Sequence, residues 1–138
     1  MKLLPKAMLI CCAMLFITGI GYVCFYKTPA ASQMSNLTDD DSGKTLDITK
    51  GSVFTLTLRD HGGGGYHFNK TQFDSTILHL QSHSEAGAPA NSALGHPGSG
   101  VWKFIAVKTG RTKLVVTESR PWRQTDTIIN FQNLVLVK

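Results

Sequence analysis

The sequence predicts an all-β domain with an immunoglobulin-like β-sandwich fold, preceded by an N-terminal hydrophobic helix. Three observations support this prediction. Between residue 52 and the C-terminus, short segments alternate apolar and polar residues, turn-forming residues such as glycine and proline separate these segments, and no ten-residue stretch has a good helical stripe. The chain has 138 residues, of which 42% are apolar and 17% charged, so it fits one ordinary globular domain beside a targeting segment.

The first element is an uncharged, mostly apolar run at residues 7–26, which lies between two N-terminal lysines and Lys27. This run is longer than most cleaved signal peptides require and is long enough to span a bilayer as a helix. Small residues at 28–32 offer a cleavage site, so residues 1–31 are predicted to be a signal peptide or a membrane anchor. Lipid attachment at Cys24 is a third alternative, although "GYVC" fits the usual lipidation motif poorly. We therefore expect an exported domain that is periplasmic, secreted or anchored in the cytoplasmic membrane and facing outward.

Cysteine and charge exclude several classes of function for the domain. All three cysteines, at positions 11, 12 and 24, lie in or beside the apolar run, so the domain has no disulfide, thiolate zinc site or cysteine nucleophile. The formal net charge is +5, from 14 Lys and Arg against 9 Asp and Glu, but three of the lysines belong to residues 1–31. The remaining chain carries 11 basic residues against 9 acidic ones, or +2, which does not favour nucleic-acid binding.

Residues 32–44 are polar, acidic and aperiodic, which predicts a linker and places the domain at residues 45–138. Within the domain, alternation predicts strands at residues 52–59, 76–82, 101–108, 112–119 and 126–138. Asn133 interrupts the alternation of the last segment, which predicts a β-bulge there. Residues 70–77 are compatible with a short turn.

Three connections between the predicted strands have unusual compositions. Residues 61–66 contain four consecutive glycines, residues 84–100 form a long loop of small residues, and residues 118–126 contain the sequence Arg-Pro-Trp. Taken singly, each composition is typical of an ordinary surface turn, a linker or a tryptophan at the edge of a core.

Taken in this order on a β-sandwich, the three connections resemble the chagasin family of cysteine-protease inhibitors. That family has an "NPTTGY"-type loop after a strand, then a glycine-rich loop ahead of an aromatic strand, then "RPW" ahead of the closing strands. The corresponding segments here are "HGGGGY", "GHPGSG" followed by "VWKF", and "RPW" itself, and the resemblance covers residues 45–138. The chain departs from the family where His61 and three glycines replace Asn-Pro-Thr-Thr, which removes the proline that stiffens the first loop.

The resemblance implies a reversible inhibitor that blocks the cleft of papain-like cysteine proteases with three loops, the middle of the wedge lying over the catalytic cysteine. Glycine suits such a loop, because without a Cβ the backbone can approach a thiolate closely. Trp122, presented by Pro121, is the expected anchor. The implied protease-binding residues are His61, Gly62, Gly63, Gly64, Gly65 and Tyr66 in the first loop, Gly95, His96, Pro97, Gly98, Ser99 and Gly100 in the second, and Arg120, Pro121, Trp122 and Arg123 in the third.

Other functions fit the sequence less well. His79 and His83 are four residues apart, which on a strand puts them on one face but about 13 Å apart. The sequence has no nucleophile elbow and no paired carboxylates, so we expect no catalytic residues and no enzyme activity. We also expect that the domain binds no metal or cofactor and is a monomer.

The alternative from a different class is a non-inhibitory immunoglobulin-like binding module on the cell envelope. One observation separates the two interpretations. An inhibitor requires the loop tips at Gly63, Gly64 and Trp122 to converge with Trp122 exposed, whereas a scaffold role predicts Trp122 buried in the core.

Overall fold

The strands of this protein follow the alternation of its apolar residues. The structure, a computed structural model, describes residues 35–138. Besides a short 3-10 helix at Asp39–Asp41, the described elements are β1 (Ser35–Leu37), β2 (Thr45–Ile48), β3 (Val53–Arg59), β4 (His67–Gln72), β5 (Leu78–Ala86), β6 (Ser99–Ala106), β7 (Gly110–Arg120) and β8 (Arg123–Val137). Within this part of the chain, no helix is long and apolar enough to cross a membrane. The hydrophobic helix predicted at residues 1–31 lies outside the described residues.

The strands form two four-stranded sheets, in the orders β1-β3-β6-β5 and β2-β8-β7-β4. The pairs β1–β3 and β2–β8 are parallel, and the other pairs are antiparallel. The predicted all-β class is therefore confirmed, and two sheets sharing one core agree with an immunoglobulin-like sandwich.

Strands β3 and β6 show most clearly how alternation produces this core. In β3, Phe54, Leu56 and Leu58 are fully buried, and the residues between them are not. In β6, Trp102 and Phe104 continue the same inward-facing row. Apolar side chains from both sheets complete the core: Leu37, Ile48, Phe54, Leu56, Leu58, Ile77, Leu78, Trp102, Phe104, Ala106, Leu114, Val116, Phe131, Val135 and Val137.

All five predicted strands are confirmed, with ends that differ by a few residues. The predicted turn is also present, because the Ile77 amide donates to the Asp74 carbonyl at 3.0 Å. Strand β4 was not predicted. It lies at the edge of its sheet and is mostly exposed, so its sequence carries little apolar alternation.

The segment predicted to be a linker, residues 32–44, differs from the prediction in its described part. Strand β1 pairs with β3, and Leu37 is buried in the core. The Asp39 carboxylate accepts hydrogen bonds from the Arg59 amide and Nε at 3.1 and 2.9 Å. The sequence did not reveal this arrangement for two reasons. A strand of three residues is too short to show alternation, and acidic residues look the same in the sequence whether they bind the domain or lie in a solvated linker. The domain therefore includes residues 35–44.

The irregularity predicted in β8 at Asn133 lies instead at Asn130. Strand β7 pairs Val116 with Phe131 but Thr117 with Ile129, so Asn130 is the extra residue of the bulge. Asn133 stays in register and is buried. Its Oδ1 accepts from the amide of residue 44 at 3.2 Å and its Nδ2 donates to the carbonyl of residue 41 at 2.8 Å. The polar residue that interrupts the pattern thus fastens the connection between β1 and β2.

A second bulge, in β5, corrects the prediction that His79 and His83 share a face. Register shifts between Leu80 and Ser82, so His79 pairs with Ile105 and His83 pairs with Trp102. Positions 102 and 105 lie on opposite faces of β6, and the two histidines do as well. Among residues 35–138, no group of three or more His, Cys, Asp or Glu side chains is arranged to hold a metal ion.

Candidate functional site

The three unusual connections lie at the same end of the sandwich. Strands β3, β5 and β7 end there and β4, β6 and β8 begin there, because Ser99 pairs with both Arg59 and Ala86, and Arg120 pairs with Arg123. We call residues 60–66 loop 1, residues 87–98 loop 2 and residues 121–122 loop 3. Antiparallel pairing of β3 with β6 and of β4 with β7 thus gathers segments that are far apart in the sequence.

Loops 1 and 2 are joined through Gly62. Its φ is +57°, and a Cβ at this position would lie 2.4 Å from the Gly95 carbonyl oxygen and 2.7 Å from the Pro97 nitrogen. Asp60 reinforces the contact, since its Oδ1 accepts from the Gly62 amide at 2.7 Å and the Gly98 amide at 2.8 Å. Only glycine fits here, and one carboxylate holds both loops.

Loops 1 and 3 are joined through Gly65 and Trp122. A Cβ on Gly65, whose φ is +75°, would lie 2.2 Å from Cη2 of the Trp122 indole. The edge of the ring therefore contacts the glycine backbone, while 72% of Trp122 remains exposed. Loop 1 thus contacts loop 2 through one glycine and loop 3 through another, which makes it the middle of a continuous surface.

Tyr66 and Arg120 support the junction between loops 1 and 3. The guanidinium carbon of Arg120 lies 4.5 Å from the centroid of the Tyr66 ring, in a cation–π arrangement. Nη1 of Arg120 also lies 3.1 Å from Oδ2 of Asp126. Burial, and then the Asp126 carboxylate, raise the pKa of the Tyr66 phenol above its usual value.

Gly63 differs from the other glycines of loop 1. Among residues 35–138, only the His61 carbonyl oxygen comes within 4 Å of the place a Cβ of residue 63 would occupy, at 3.8 Å, and the φ of Gly63 is not positive. Gly62, Gly64 and Gly65 have positive φ and close neighbours, so the fold itself requires them. Within residues 35–138, neither a close contact nor a positive φ requires glycine at position 63.

The structure also separates the predicted loop 2 residues into two groups. Ser99 and Gly100 belong to β6, and Gly98 and Gly100 are buried. A Cβ on Gly98 would lie 2.6 Å from the Ala86 carbonyl oxygen, and one on Gly100 would lie 2.4 Å from Cη2 of Trp102. These two glycines shape the loop and the core beneath it, whereas Gly95 and His96 are exposed at the surface.

Leu94 is a candidate site residue that was not predicted from the sequence. It is fully exposed, at 105% of its reference area, and it precedes Gly95, which packs on loop 1. The sequence signal was present, because Leu94 is the one large apolar side chain among the small residues 86–94. Leu94 and Trp122 thus place large apolar groups on the loops either side of loop 1.

The sandwich and its three loops match a known protein family. Residues 47–133 match the family described as chagasin family peptidase inhibitor I42. The chain belongs to this family. The matched range includes all three loops, and the chagasin family is one of peptidase inhibitors. No curated protein sequence matches the chain significantly.

Solved structures share the chagasin-like fold at low sequence identity. The cysteine protease inhibitor EhICP2 from Entamoeba histolytica is 21% identical, with a TM-score of 0.61 over 76% of this chain and 96% of that one. Amebosin is 23% identical, with a TM-score of 0.53 over 76% and 97% of the two chains. PbICP-C, solved in complex with falcipain-2, is 17% identical, with a TM-score of 0.51 over 78% and 93%. At this level of identity the similarity establishes a common fold.

Proposed function

We propose that this protein is a reversible inhibitor of papain-like cysteine proteases and that its three loops enter the active-site cleft together. The observation that carries this proposal is the exposure of Trp122, at 72%, on a surface where all three loops touch. A scaffold role predicts a buried tryptophan at this position. Family membership and the similarity to cysteine protease inhibitors of the same fold support the same conclusion.

Loop 1 is suited to the middle of the cleft. Gly63 presents backbone without a Cβ at the one position of loop 1 where the fold does not require glycine, so we infer that the constraint there is the enzyme. A glycine loop normally loses much conformational freedom on binding. Here the contacts of Gly62 with loop 2 and of Gly65 with Trp122 fix both ends of the run before the enzyme arrives, which reduces that loss.

Loops 2 and 3 supply the apolar contacts. Large, exposed and rigidly presented side chains dominate the binding energy of protein interfaces. Trp122 lies in a two-residue turn that Pro121 stiffens, and Leu94 projects from loop 2. Because these contacts are noncovalent, inhibition is reversible.

The proposal is tested by measuring inhibition of papain and of a cathepsin L-type enzyme by the full-length protein and by Gly63→Val. A Cβ at position 63 has no close neighbour in the free structure, so the variant should keep its thermal stability and lose inhibition. Ser75→Val is the matched control, since Ser75 is exposed in the connection between β4 and β5, at the end of the sandwich opposite the loops. Full inhibition by Gly63→Val would contradict the placement of loop 1 against the enzyme.

We also propose that the domain is exported and acts as a monomer, either released or held by residues 1–31. The geometry favours such a tether. Ser35 pairs with Phe54 near the start of β3, so the described chain begins at the end of the sandwich opposite the loops. An anchor at the N-terminus would leave the loops facing away from the membrane. Cell fractionation, with protease treatment of intact cells, tests this proposal, and a cytoplasmic, protected domain would contradict it.

A further inference from the structure

A buried carboxylate lies directly beneath loop 1. In β7 the inward-facing row runs through Thr112, Leu114 and Val116, and the next residue in that row is Glu118. Glu118 is fully buried. Placing a carboxylate where the alternation calls for an apolar residue is unfavourable unless several donors surround it. The partners of Glu118 therefore indicate why it is there.

Those partners all belong to loop 1 and the segments that meet it. Oε2 of Glu118 accepts from the His61 amide at 3.3 Å and lies 2.9 Å from Nδ1 of the same residue. Oε1 accepts from Nδ2 of Asn130, which also donates to the Arg59 carbonyl at 2.9 Å. Asn130 is the extra residue of the β8 bulge, so the bulge directs its amide at Glu118 and at the end of β3.

His61 is the last side chain before the four glycines, so its position determines where the glycine run begins. The run lacks the proline that stiffens this loop in the chagasin family, and glycine is conformationally permissive. Fixing the amide and the ring of His61 to one buried group supplies a rigid starting point. At the other end of the run, Trp122 covers Gly65.

We propose that Glu118 is a positioning residue for inhibition: it holds His61 and so presents Gly63 to the protease. The inference rests on the proposed function. It differs from a merely structural role, because Glu118 then contributes to the conformation of loop 1 more than to the stability of the sandwich.

Glu118→Met tests the inference, since methionine has similar volume and no strong acceptor. Removing one member of a buried polar cluster is destabilising where its partners are left without another hydrogen-bond acceptor. Here the His61 side chain is 53% exposed, and water can reach it. Asn130 also keeps its hydrogen bond to the Arg59 carbonyl, so we expect little change in Tm. Amide exchange at residues 61–63 should become faster, and papain inhibition weaker, each by at least about tenfold.

Two controls keep the effect specific. The Ile77 amide, which donates to the Asp74 carbonyl at the end of the sandwich opposite the loops, should exchange as in the unmodified protein. Asn133→Leu removes another buried polar group, but one that holds the connection between β1 and β2, so it should lower the Tm and leave loop 1 exchange and inhibition unchanged.

Unchanged exchange at residues 61–63 in Glu118→Met would overturn the inference, and so would faster exchange with undiminished inhibition. If Glu118→Met does not fold, Glu118→Gln replaces it; glutamine keeps one acceptor oxygen and sets an amide against a donor, so loop 1 should still exchange faster. If the unmodified protein fails to inhibit papain, the proposed function fails. The exchange measurement then still decides whether Glu118 holds loop 1.

Discussion

The two tryptophans of the domain occupy opposite environments. Trp102 is 1% exposed and packs between two aromatic rings, with Phe68 edge-on at 4.9 Å and His83 stacked at 4.5 Å between ring centroids. Trp122 is 72% exposed, at the tip of a two-residue turn. The same side chain therefore serves the core in one place and the surface in the other.

Both tryptophans nevertheless lie on a glycine. A Cβ on Gly100 would meet Trp102 at 2.4 Å, and one on Gly65 would meet Trp122 at 2.2 Å. In each case the missing Cβ lets the edge of an indole ring approach the backbone closely. What differs is the rest of the ring, which the sandwich covers for Trp102 and solvent covers for Trp122. Burial of Trp102 therefore contributes to folding, whereas burial of Trp122 is available for binding a partner.

The largest effect expected from this comparison is that of Trp102→Ala. Removing a buried indole should destabilise the domain by about 3–5 kcal/mol, because the cavity cannot close fully. Urea denaturation followed by circular dichroism measures the loss. A change below about 1 kcal/mol would show that Trp102 is not part of a tightly packed core.

A smaller effect is expected where loop 1 meets loop 2. Gly62→Ala forces a positive φ on alanine and a clash with the Gly95 carbonyl, which should cost about 1–3 kcal/mol. Gly63→Ala, one residue further on, should stay within about 0.5 kcal/mol of the unmodified protein. Equal unfolding free energies for the two variants would contradict the packing of the loops.

Leu94→Ala should affect binding alone. Because Leu94 is fully exposed, its removal should leave the Tm unchanged, and papain inhibition should weaken about tenfold if the enzyme buries the side chain. Inhibition constants from steady-state assays measure this change. Unaltered inhibition would exclude loop 2 from the apolar part of the interface.

The smallest effect concerns the opposite end of the molecule. Hydrogen bonds from the Thr76 hydroxyl and amide lower the pKa of Asp74. A lowered folded-state pKa gives stability that is present above the unfolded value, about 3.9, and is lost as the pH falls through the folded-state pKa. The Tm difference between the unmodified protein and Asp74→Ala should therefore shrink in acid, with inhibition at neutral pH unaffected. A difference that grows on acidification would contradict this assignment.

The sequence predicts the parts of this molecule that depend on local pattern. Alternation locates β3 and β6, and the order of the glycine run and "RPW" locates loops 1 and 3. Contacts between distant residues were not predicted. The bulges at Gln81 and Asn130 depend on pairing with neighbouring strands. The first places His83 on the opposite face of the sheet from His79, and the second directs the Asn130 amide at Glu118.

Glu118 shows the same limit within the candidate site. In the sequence it is a polar residue near the end of a strand, with nothing to connect it to His61, 57 positions earlier. Only the folded chain brings the two together. Similarly, the sequence cannot distinguish four identical glycines. In the structure Gly62 contacts loop 2, Gly64 lies beside Arg120, Gly65 contacts Trp122, and Gly63 has no close neighbour.

The central claim is that the exposed tryptophan belongs to a protease-binding surface, and inhibition of papain by the full-length protein and by Trp122→Ala tests it most directly. We expect tight, reversible inhibition by the unmodified protein, weakened about 100-fold in the variant, with the two unfolding free energies equal within about 0.5 kcal/mol. Equal inhibition by both proteins would contradict the role of Trp122. No inhibition by the folded, unmodified protein at micromolar concentration would contradict the proposed function and favour the alternative of a non-inhibitory binding module.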